Sequence, residues 1–368
     1  MKGPGGKVEV LHSDRTGWLD SQEELERVDR SGMLGILERF DEQLQTALET
    51  AAALGFPVAP DFRGAALLGL GGSAIGGDLV RAWLGSSLKA PFAVVRGYTV
   101  PGWVDSSTLC LASSYSGNTE ETLAALAEAR SRGAWCAALT SGGELERIAR
   151  REGLPMFPFP AGQPPRTALP FSFVGVLWAL SGAGLIDSPW PAVESSRQWL
   201  RGRLRLFGPN TPAASNPAKL LAQRLVGRIP VVYGSNDRLS LVARRWASQF
   251  SENSKVLAYS AEVPEMNHNE IVGWEHPREA LKRLVPILLR DHEDHPRVQI
   301  RMEITREILG GRVEPVLEYW SAGSSWLERL WSLVLLGDFA SVYLAVLNRE
   351  DPTPVEAIES LKIRLKQY

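Results

Sequence analysis

Cysteine, histidine and clustered positive charge are scarce in this chain, and each shortage excludes a class of function. The 368 residues include two cysteines and five histidines, without a Cys/His motif at zinc-ligand spacing, so we expect no metal site. The formal net charge is −2 and no block of lysine and arginine occurs. Neither a nucleic acid nor an anionic membrane surface is therefore an expected partner.

Long apolar segments and export signals are also missing. The longest apolar run, residues 331–347, contains Asp338 and falls short of a membrane span, and the N-terminus has no signal-peptide pattern. Cys110 and Cys136 lie in apolar, strand-like runs, where we expect buried thiols rather than a disulfide. Together these features predict a cytoplasmic protein.

Short apolar runs alternate with helical patterns through most of the chain. Over residues 65–186 this alternation predicts a parallel sheet covered by helices on both faces. The strand, Gly-Ser turn and helix at residues 228–252 repeat the order found at residues 65–83, which predicts a second domain related by internal duplication. The expected fold is thus α/β, with two doubly wound parallel-sheet domains. The second domain is expected to continue with strands at 256–259, 284–289 and 298–304 and an apolar helix at 325–347.

Composition divides the chain into four segments. Residues 1–60 hold an aperiodic arm and amphipathic helices, and residues 61–190 form the first domain. Residues 191–217, rich in proline, serine and arginine, are interpreted as a linker. Residues 218–368 form the second domain with its C-terminal helix.

The first of two candidate ligand loops is rich in glycine. The apolar run 67–70 breaks at Gly-Gly-Ser, residues 71–73, and a helical pattern follows at once. Glycine permits a sharp turn and close approach of a ligand, and the first helix amides lack internal acceptors, so this loop could bind an anion. No Gly-Lys-Ser/Thr closes the loop, which excludes a P-loop. Gly69, Gly71 and Ala74 loosely match a dinucleotide-binding fingerprint, so that interpretation stays open here.

The second candidate loop is rich in hydroxyl groups. After the apolar run 109–113, Ser114, Ser116 and Thr119 cluster around Gly117 where the next helical pattern begins. A helix cap uses one hydroxyl, whereas three at this spacing can surround a phosphate while helix amides add donors. Neither loop contains lysine or arginine, so the donors would be neutral. The alternative is an ordinary cap followed by glutamates in the first turn.

These two loops carry a family resemblance. Gly-Gly-Ser-Ala-Ile-Gly-Gly-Asp at residues 71–78 and Ser-Tyr-Ser-Gly-Asn-Thr-Glu-Glu-Thr at residues 114–122 resemble the sugar isomerase (SIS) domain. More narrowly, they resemble the bifunctional phosphoglucose/phosphomannose isomerases. The resemblance implies two SIS domains, each an αβα sandwich. Four hydroxyls are then expected to bind the substrate phosphate: Ser73, Ser114, Ser116 and Thr119.

Three residues of the second half could supply acid–base chemistry. Glu252 ends a helical pattern, where the helix dipole does not favour a carboxylate, and His268 lies in a polar loop that could tune its pKa. Lys362 lies on a terminal amphipathic helix. The ordinary alternatives are solvated charges and a structural hydrogen bond. The resemblance assigns all three to the active site, because the family has a glutamate and a histidine at this spacing and a lysine near the C-terminus.

The proline-rich loop at residues 162–170 contributes a further candidate. Each proline fixes its own φ, so the loop should be stiff and could hold Arg166 in a cleft rather than in solvent. The resemblance favours the cleft, since this loop supplies an arginine near the reacting sugar carbons in the family. Gly72, and Thr353 in the turn before the last helix, are candidates for shaping the space around the substrate.

The resemblance implies a metal-independent aldose–ketose isomerase that needs no cofactor. It would interconvert glucose 6-phosphate and mannose 6-phosphate with fructose 6-phosphate through a cis-enediolate. Glu252 would move the proton between C1 and C2, His268 and Lys362 would open the sugar ring, and Arg166 would stabilise the enediolate. Family members are homodimers in which the histidine reaches the partner's site, so we expect His268 to act across such an interface.

Three other functions compete with this prediction. A non-catalytic SIS-type sugar-phosphate sensor could lose Glu252, His268 or Lys362, and the chain retains all three. A nucleotide-binding oxidoreductase would have an acidic residue after the second strand, where this chain has Arg96. The SIS-containing synthase of glucosamine phosphate would need a cysteine nucleophile at the start of a glutaminase domain, and no cysteine precedes Cys110.

Overall fold

The first half of the chain folds around a five-stranded parallel sheet. The computed structural model describes residues 16–57, 60–365 and 367, so the predicted N-terminal arm (residues 1–15) lies outside the described residues. The strand order is β2-β1-β3-β4-β5, with every neighbouring pair parallel. The inner strands are apolar and fully buried, as expected for a sheet covered on both faces. The strands are β1 (Gly64–Leu68), β2 (Phe92–Val95), β3 (Thr108–Ser114), β4 (Trp135–Thr140) and β5 (Met156–Pro158).

A second parallel sheet repeats this arrangement. Its order, β7-β6-β8-β9, is the order of the first four strands of the other sheet, β2-β1-β3-β4. Each neighbouring pair is again parallel. The prediction of two doubly wound parallel-sheet domains is therefore confirmed. The strands are β6 (Ile229–Ser235), β7 (Tyr259–Val263), β8 (Leu284–Arg290) and β9 (Leu317–Trp320).

Helices cover both sheets and connect the two halves. In the first half they are α1 (Gln22–Val28), α2 (Met33–Glu38), α3 (Phe40–Leu54), α4 (Gly72–Leu84), α5 (Glu120–Ser131), α6 (Gly143–Glu152) and α7 (Leu169–Gly182). In the second they are α8 (Trp190–Phe207), α9 (Pro217–Leu225), α10 (Leu239–Ser254), α11 (Glu270–Gly273), α12 (Arg278–Leu281), α13 (Pro296–Gly310), α14 (Trp326–Asn348) and α15 (Glu356–Leu365).

Helix α14 forms the centre of the molecule. It begins at a capping box between Ser325 and Glu328 and packs against α8, α9 and α10. It is apolar on all sides, and such a helix needs burial on all sides. By length and composition α14 could cross a membrane, but its whole apolar window is buried inside the fold. The predicted apolar helix is thus the core around which both domains pack.

Two predicted strands differ from the structure. The strand predicted at 256–259 begins three residues later, as β7 (Tyr259–Val263). The predicted strand at 298–304 is wrong, because these residues lie within α13. Alternating apolar residues suggested a strand, but Pro296 begins a helix and the His295 side chain accepts a hydrogen bond from the Arg297 N–H. Most of helix α8 lies in residues 191–217, the segment interpreted as a linker, and it buries Val193 and Leu200 against the core.

Candidate active site

The glycine loop between β1 and α4 is closely packed against two neighbouring segments. Gly71 has φ +52°, a conformation that strains other residues. A Cβ atom on Gly69 would lie 2.8 Å from the Ser113 carbonyl oxygen, and one on Gly72 would lie 2.9 Å from the Pro165 carbonyl. The loop therefore contacts the end of β3 and the proline-rich loop at the same time.

The predicted phosphate-binding hydroxyls meet at the carboxyl ends of β1 and β3, which are neighbouring strands. The Ser73 Oγ accepts a hydrogen bond from the Tyr115 N–H at 3.0 Å, which ties the two loops together. The Ser114 Oγ lies 2.8 Å from the Thr119 Oγ1. Ser116 is exposed, and its Oγ accepts a 3.3 Å hydrogen bond from a neighbouring backbone N–H. Ser73 is therefore bonded to the loop that carries the other three hydroxyl-bearing residues.

The position of the Thr119 hydroxyl argues against the alternative that it is an ordinary helix cap. It occupies the N-cap position of α5, yet its side chain makes no capping hydrogen bond. Its hydroxyl is turned towards Ser114 instead. The first amides of α5 are therefore not capped by this hydroxyl, which leaves them as donors for an anion.

Arg166 is buried where three distant parts of the chain meet. Its Nε donates to the Asn253 Oδ1 at 2.6 Å, and its Nη2 donates to the carbonyl oxygens of Pro352 and Thr353 at 2.7 and 3.1 Å. Its Nη1 lies 3.3 Å from the Glu252 Oε2. Burial lowers the pKa of Arg166, and the Glu252 carboxylate opposes that shift. The guanidinium is thus fixed in place, not solvated.

Arg166 is held in position by residues for which the sequence predicted no role. Arg245 donates to the Arg166 carbonyl oxygen at 3.1 Å and forms a buried ion pair with Asp338 on α14, at 2.9 and 2.7 Å. Asn253 donates to the Ser341 Oγ at 2.8 Å. Burial raises the pKa of Asp338, and Arg245 opposes that rise. The one sequence signal was Asp338 itself, a charge inside an apolar run.

Glu252 and Arg166 line a cavity of about 170 Å³. The Glu252 side chain is 28% exposed, so its carboxylate remains accessible beside the buried guanidinium. A cavity of about 560 Å³ lies elsewhere, near Gly55 and Trp178, but its lining residues include no acid–base pair. The smaller cavity, which holds both Glu252 and Arg166, is therefore the candidate active site. Its other lining residues are Gly71, Gly72, Ile75, Arg96, Arg244, Arg245, Ser248 and Gln249.

The four hydroxyl-bearing residues do not line this cavity, and neither do three other predicted residues. Thr353 contributes its carbonyl oxygen to Arg166, and its buried Oγ1 has no hydrogen-bond partner among the described residues. His268 ends a short 3₁₀ helix and is exposed, as is Lys362 on α15. Within the described part of the chain, neither His268 nor Lys362 lines the cavity or forms an ion pair.

Comparison with known proteins identifies the family. A SIS domain model matches residues 63–152, and a model described as the bacterial phospho-glucose isomerase C-terminal SIS domain matches residues 214–365. A bifunctional phosphoglucose/phosphomannose isomerase from Caldicellulosiruptor bescii is 42% identical over 327 residues, or 89% of this chain and 96% of that protein. The chain belongs to the bifunctional phosphoglucose/phosphomannose isomerase family.

Other relatives agree with this membership. A bifunctional phosphoglucose/phosphomannose isomerase from Aquifex aeolicus is 38% identical over 310 residues, which cover 83% of this chain and 92% of that protein. A solved structure of a hypothetical protein from Thermus thermophilus has a TM-score of 0.70 at 20% identity, covering 98% and 96% of the two chains. That structure supports the fold. The predicted family and the predicted enzyme class, an intramolecular oxidoreductase, are confirmed.

Proposed function

We propose that this isomerase interconverts glucose 6-phosphate and mannose 6-phosphate with fructose 6-phosphate, in the cytoplasm and without a metal ion or cofactor. The observation that carries the proposal is the pairing of the accessible Glu252 carboxylate with the buried Arg166 guanidinium, next to the glycine loop. The names of the two relatives specify the same pair of sugar phosphates.

The phosphate of the substrate is bound by the hydroxyl groups at the ends of β1 and β3. Ser114 and Thr119 are within hydrogen-bond distance of each other, so two hydroxyls converge on one small region. The adjacent N-terminus of α5 adds backbone donors and the positive end of the helix dipole. Neutral donors suffice here, because the phosphate is a charged acceptor. A hydrogen bond to a charged acceptor is stronger than one between two neutral groups.

Proton transfer between C1 and C2 is assigned to Glu252. A carboxylate that moves this proton must reach the reacting carbons, and the partial exposure of Glu252 meets that requirement. The reaction passes through a cis-enediolate, whose developing charge needs a preorganised cation. Arg166 is suited to this role because four oxygen acceptors, from residues 252–253 and 352–353, fix its guanidinium.

Ring opening is assigned to His268 and Lys362, with His268 supplied by a second copy of the chain. Both side chains are exposed, and neither contacts the cavity of its own chain within the described residues. Helix α15 has no buried residue, although it carries large apolar side chains that a partner could cover. We therefore propose a homodimer in which these surfaces are covered. The exposed apolar side chains of α15 are Ile358, Leu361, Ile363 and Leu365.

A coupled assay of fructose 6-phosphate formation from each hexose phosphate tests the proposal. In the Glu252→Gln variant we expect kcat to fall by roughly 10²–10⁴-fold, because general base catalysis contributes about that much. Glu279→Gln is the matched control, since Glu279 is a solvent-exposed partner of Lys282. Wild-type activity should persist with EDTA.

Three outcomes would contradict the proposal. They are near-normal activity of Glu252→Gln, loss of activity with EDTA, and binding of hexose phosphate without any turnover, which would indicate a sensor. For the dimer, the rate per chain should fall on dilution as dimers dissociate. Full activity of a monomer, verified by analytical ultracentrifugation, would refute the shared site.

A further inference from the structure

The cavity contains more arginine side chains than the proposed isomerisation uses. Arg96 and Arg244 line it together with Arg166 and Arg245. Arg245 is neutralised by its buried ion pair with Asp338 and lies behind Arg166. Arg166 is paired with Glu252. Two guanidinium groups therefore remain to be explained.

Arg96 and Arg244 share a single carboxylate. The Asp78 Oδ2 accepts a hydrogen bond from the Arg96 Nη2, and the same oxygen lies 3.8 Å from the Arg244 Nη1. Asp78 is 0% exposed, whereas the side chains of Arg96 and Arg244 are 29% and 52% exposed. Among the described residues these are the ion pairs of the two arginines, so this end of the cavity carries one uncompensated positive charge.

The strand order determines where these arginines lie relative to the phosphate-binding hydroxyls. Arg96 follows β2, the hydroxyl loop follows β3, and β1 with its glycine loop lies between them. Gly72 in that loop packs against Pro165 and Arg166. The hydroxyls and the arginine pair thus lie on opposite sides of the glycine loop, with the reacting residues over its centre.

We propose that Arg96 and Arg244 form a second anion subsite, which binds the C1 phosphate of a hexose 1,6-bisphosphate. The C6 phosphate would occupy the hydroxyl loop, so this inference rests on the proposed function for the position of that end. Arginine suits the subsite because its planar fork of donors matches phosphate oxygens. A C1 carbon that is already a phosphate ester cannot become an aldehyde without losing the ester. The bisphosphate is therefore a competitive inhibitor, not a substrate.

Two ligands that differ only in the second phosphate test the subsite. 2,5-Anhydromannitol 1-phosphate and 2,5-anhydromannitol 1,6-bisphosphate both have a closed ring that the enzyme cannot open. By titration calorimetry we expect the bisphosphate to bind wild type about 10-fold or more tightly than the monophosphate, as one added charge-assisted contact implies. The ratio of the two dissociation constants, monophosphate over bisphosphate, should approach one in Arg244→Gln. It should also fall in Arg96→Lys, which keeps the positive charge facing Asp78 but loses the planar set of guanidinium donors.

Arg81→Gln is the matched control for these variants. Arg81 lies on the same helix as Asp78, pairs with Asp237 at 2.8 Å and does not line the cavity. Its ratio should equal that of wild type. Thermal melting of each variant verifies folding, and Arg244→Gln, at an exposed arginine, keeps the test valid if Arg96→Lys does not fold.

The result can be separated from a failure of the isomerase proposal. Equal binding of the two ligands to wild type, or an unchanged ratio in Arg244→Gln, would overturn the subsite even if the enzyme isomerises hexose phosphates. If no hexose phosphate is isomerised but the ratio behaves as expected, the subsite stands and the isomerase proposal alone fails.

Discussion

The carboxyl edges of the two sheets can be compared strand by strand, because β6 and β8 occupy the positions of β1 and β3. After β3, the first edge carries uncharged hydroxyls, among them Ser114 and Thr119. The second edge ends in buried carboxylates, Asp291 and Asp294, which follow β8. At equivalent strands, the first domain therefore has uncharged hydroxyl groups and the second has buried carboxyl groups.

The charges of the second edge are satisfied within the protein. The Asp291 Oδ2 accepts a hydrogen bond from the Arg329 Nε at 2.8 Å, and its Oδ1 lies 3.3 Å from the Arg238 Nη2. The Asp294 Oδ1 accepts a hydrogen bond from the Ser235 Oγ at 2.6 Å. Carboxylates of the chain itself thus occupy the region where the first domain leaves hydroxyls for a ligand.

Under the proposed function, this difference accounts for a single site in a duplicated fold. The carboxyl edge of a parallel sheet collects helix N-termini and loops, so it favours an anion in either domain. In the second domain that position is taken by carboxyl groups of the protein itself. That domain instead supplies Glu252 and Asn253 from the C-terminal end of α10, facing Arg166.

The largest effect should come from removing a charge at the second edge. Asp291→Asn leaves Arg329 and Arg238 without their shared partner, and breaking a buried ion pair costs about 3–5 kcal/mol. The free energy of unfolding in urea measures this cost. Asp187→Asn, at a carboxylate that is 93% exposed and pairs with Lys89, should change it by less than about 1 kcal/mol. Equal losses of stability from the two substitutions would contradict a structural role for the carboxylates of the second edge.

Removing hydroxyl groups from each edge in turn should distinguish an effect on activity from an effect on stability. The double variant Ser114→Ala, Thr119→Ala should lower kcat/KM for fructose 6-phosphate about 10–100-fold, because two phosphate donors are lost. Its stability should change little, since the two hydroxyls bond each other and both are removed.

Ser235→Ala should have the reverse effect. It removes the hydroxyl that donates to the buried Asp294 carboxyl group, so the free energy of unfolding should fall by about 1–3 kcal/mol, with kcat/KM within about 2-fold of wild type. Urea unfolding and steady-state kinetics on the same preparations check both variants. A large loss of kcat/KM in Ser235→Ala would mean that the second edge also contributes to the reaction.

The smallest expected effect concerns pH. Burial raises the pKa of Asp294, while its hydrogen bond from Ser235 and the charge of Arg238 oppose the rise. The folded protein therefore binds this proton more tightly than the unfolded chain. The resulting stability is full below the unfolded pKa and is lost as pH rises through the folded pKa. The free energy of unfolding of wild type minus that of Asp294→Asn should decrease between pH 4 and pH 7. An increase would contradict the raised pKa.

Local patterns were sufficient to predict the loops but not the contacts that join them. The glycine and hydroxyl loops follow from strand, turn and helix signals within about a dozen residues. The stiff proline-rich loop allowed a cleft position for Arg166, and the family resemblance favoured that position over solvent. The alternation of apolar residues near Ile300 was misleading, because Pro296 and the helix it begins determine that segment.

The supporting residues could not be predicted, for a physical reason. Arg245 meets Asp338, and Asn253 meets Arg166, across separations of about ninety residues. Such pairs depend on how the two domains pack around α14. The periodicity of apolar residues in the sequence does not predict that packing. The approach of Arg244 to Asp78 has the same origin.

Hydrogen exchange at the reacting carbons tests most directly whether a carboxylate of the second domain acts on a sugar bound by the first. Fructose 6-phosphate is incubated in D₂O, and NMR follows deuterium at its C1 and at C2 of glucose 6-phosphate. Wild type and the control Glu279→Gln should incorporate deuterium, whereas Glu252→Gln should exchange roughly 10²–10⁴-fold more slowly. Exchange at the wild-type rate in Glu252→Gln would contradict the account.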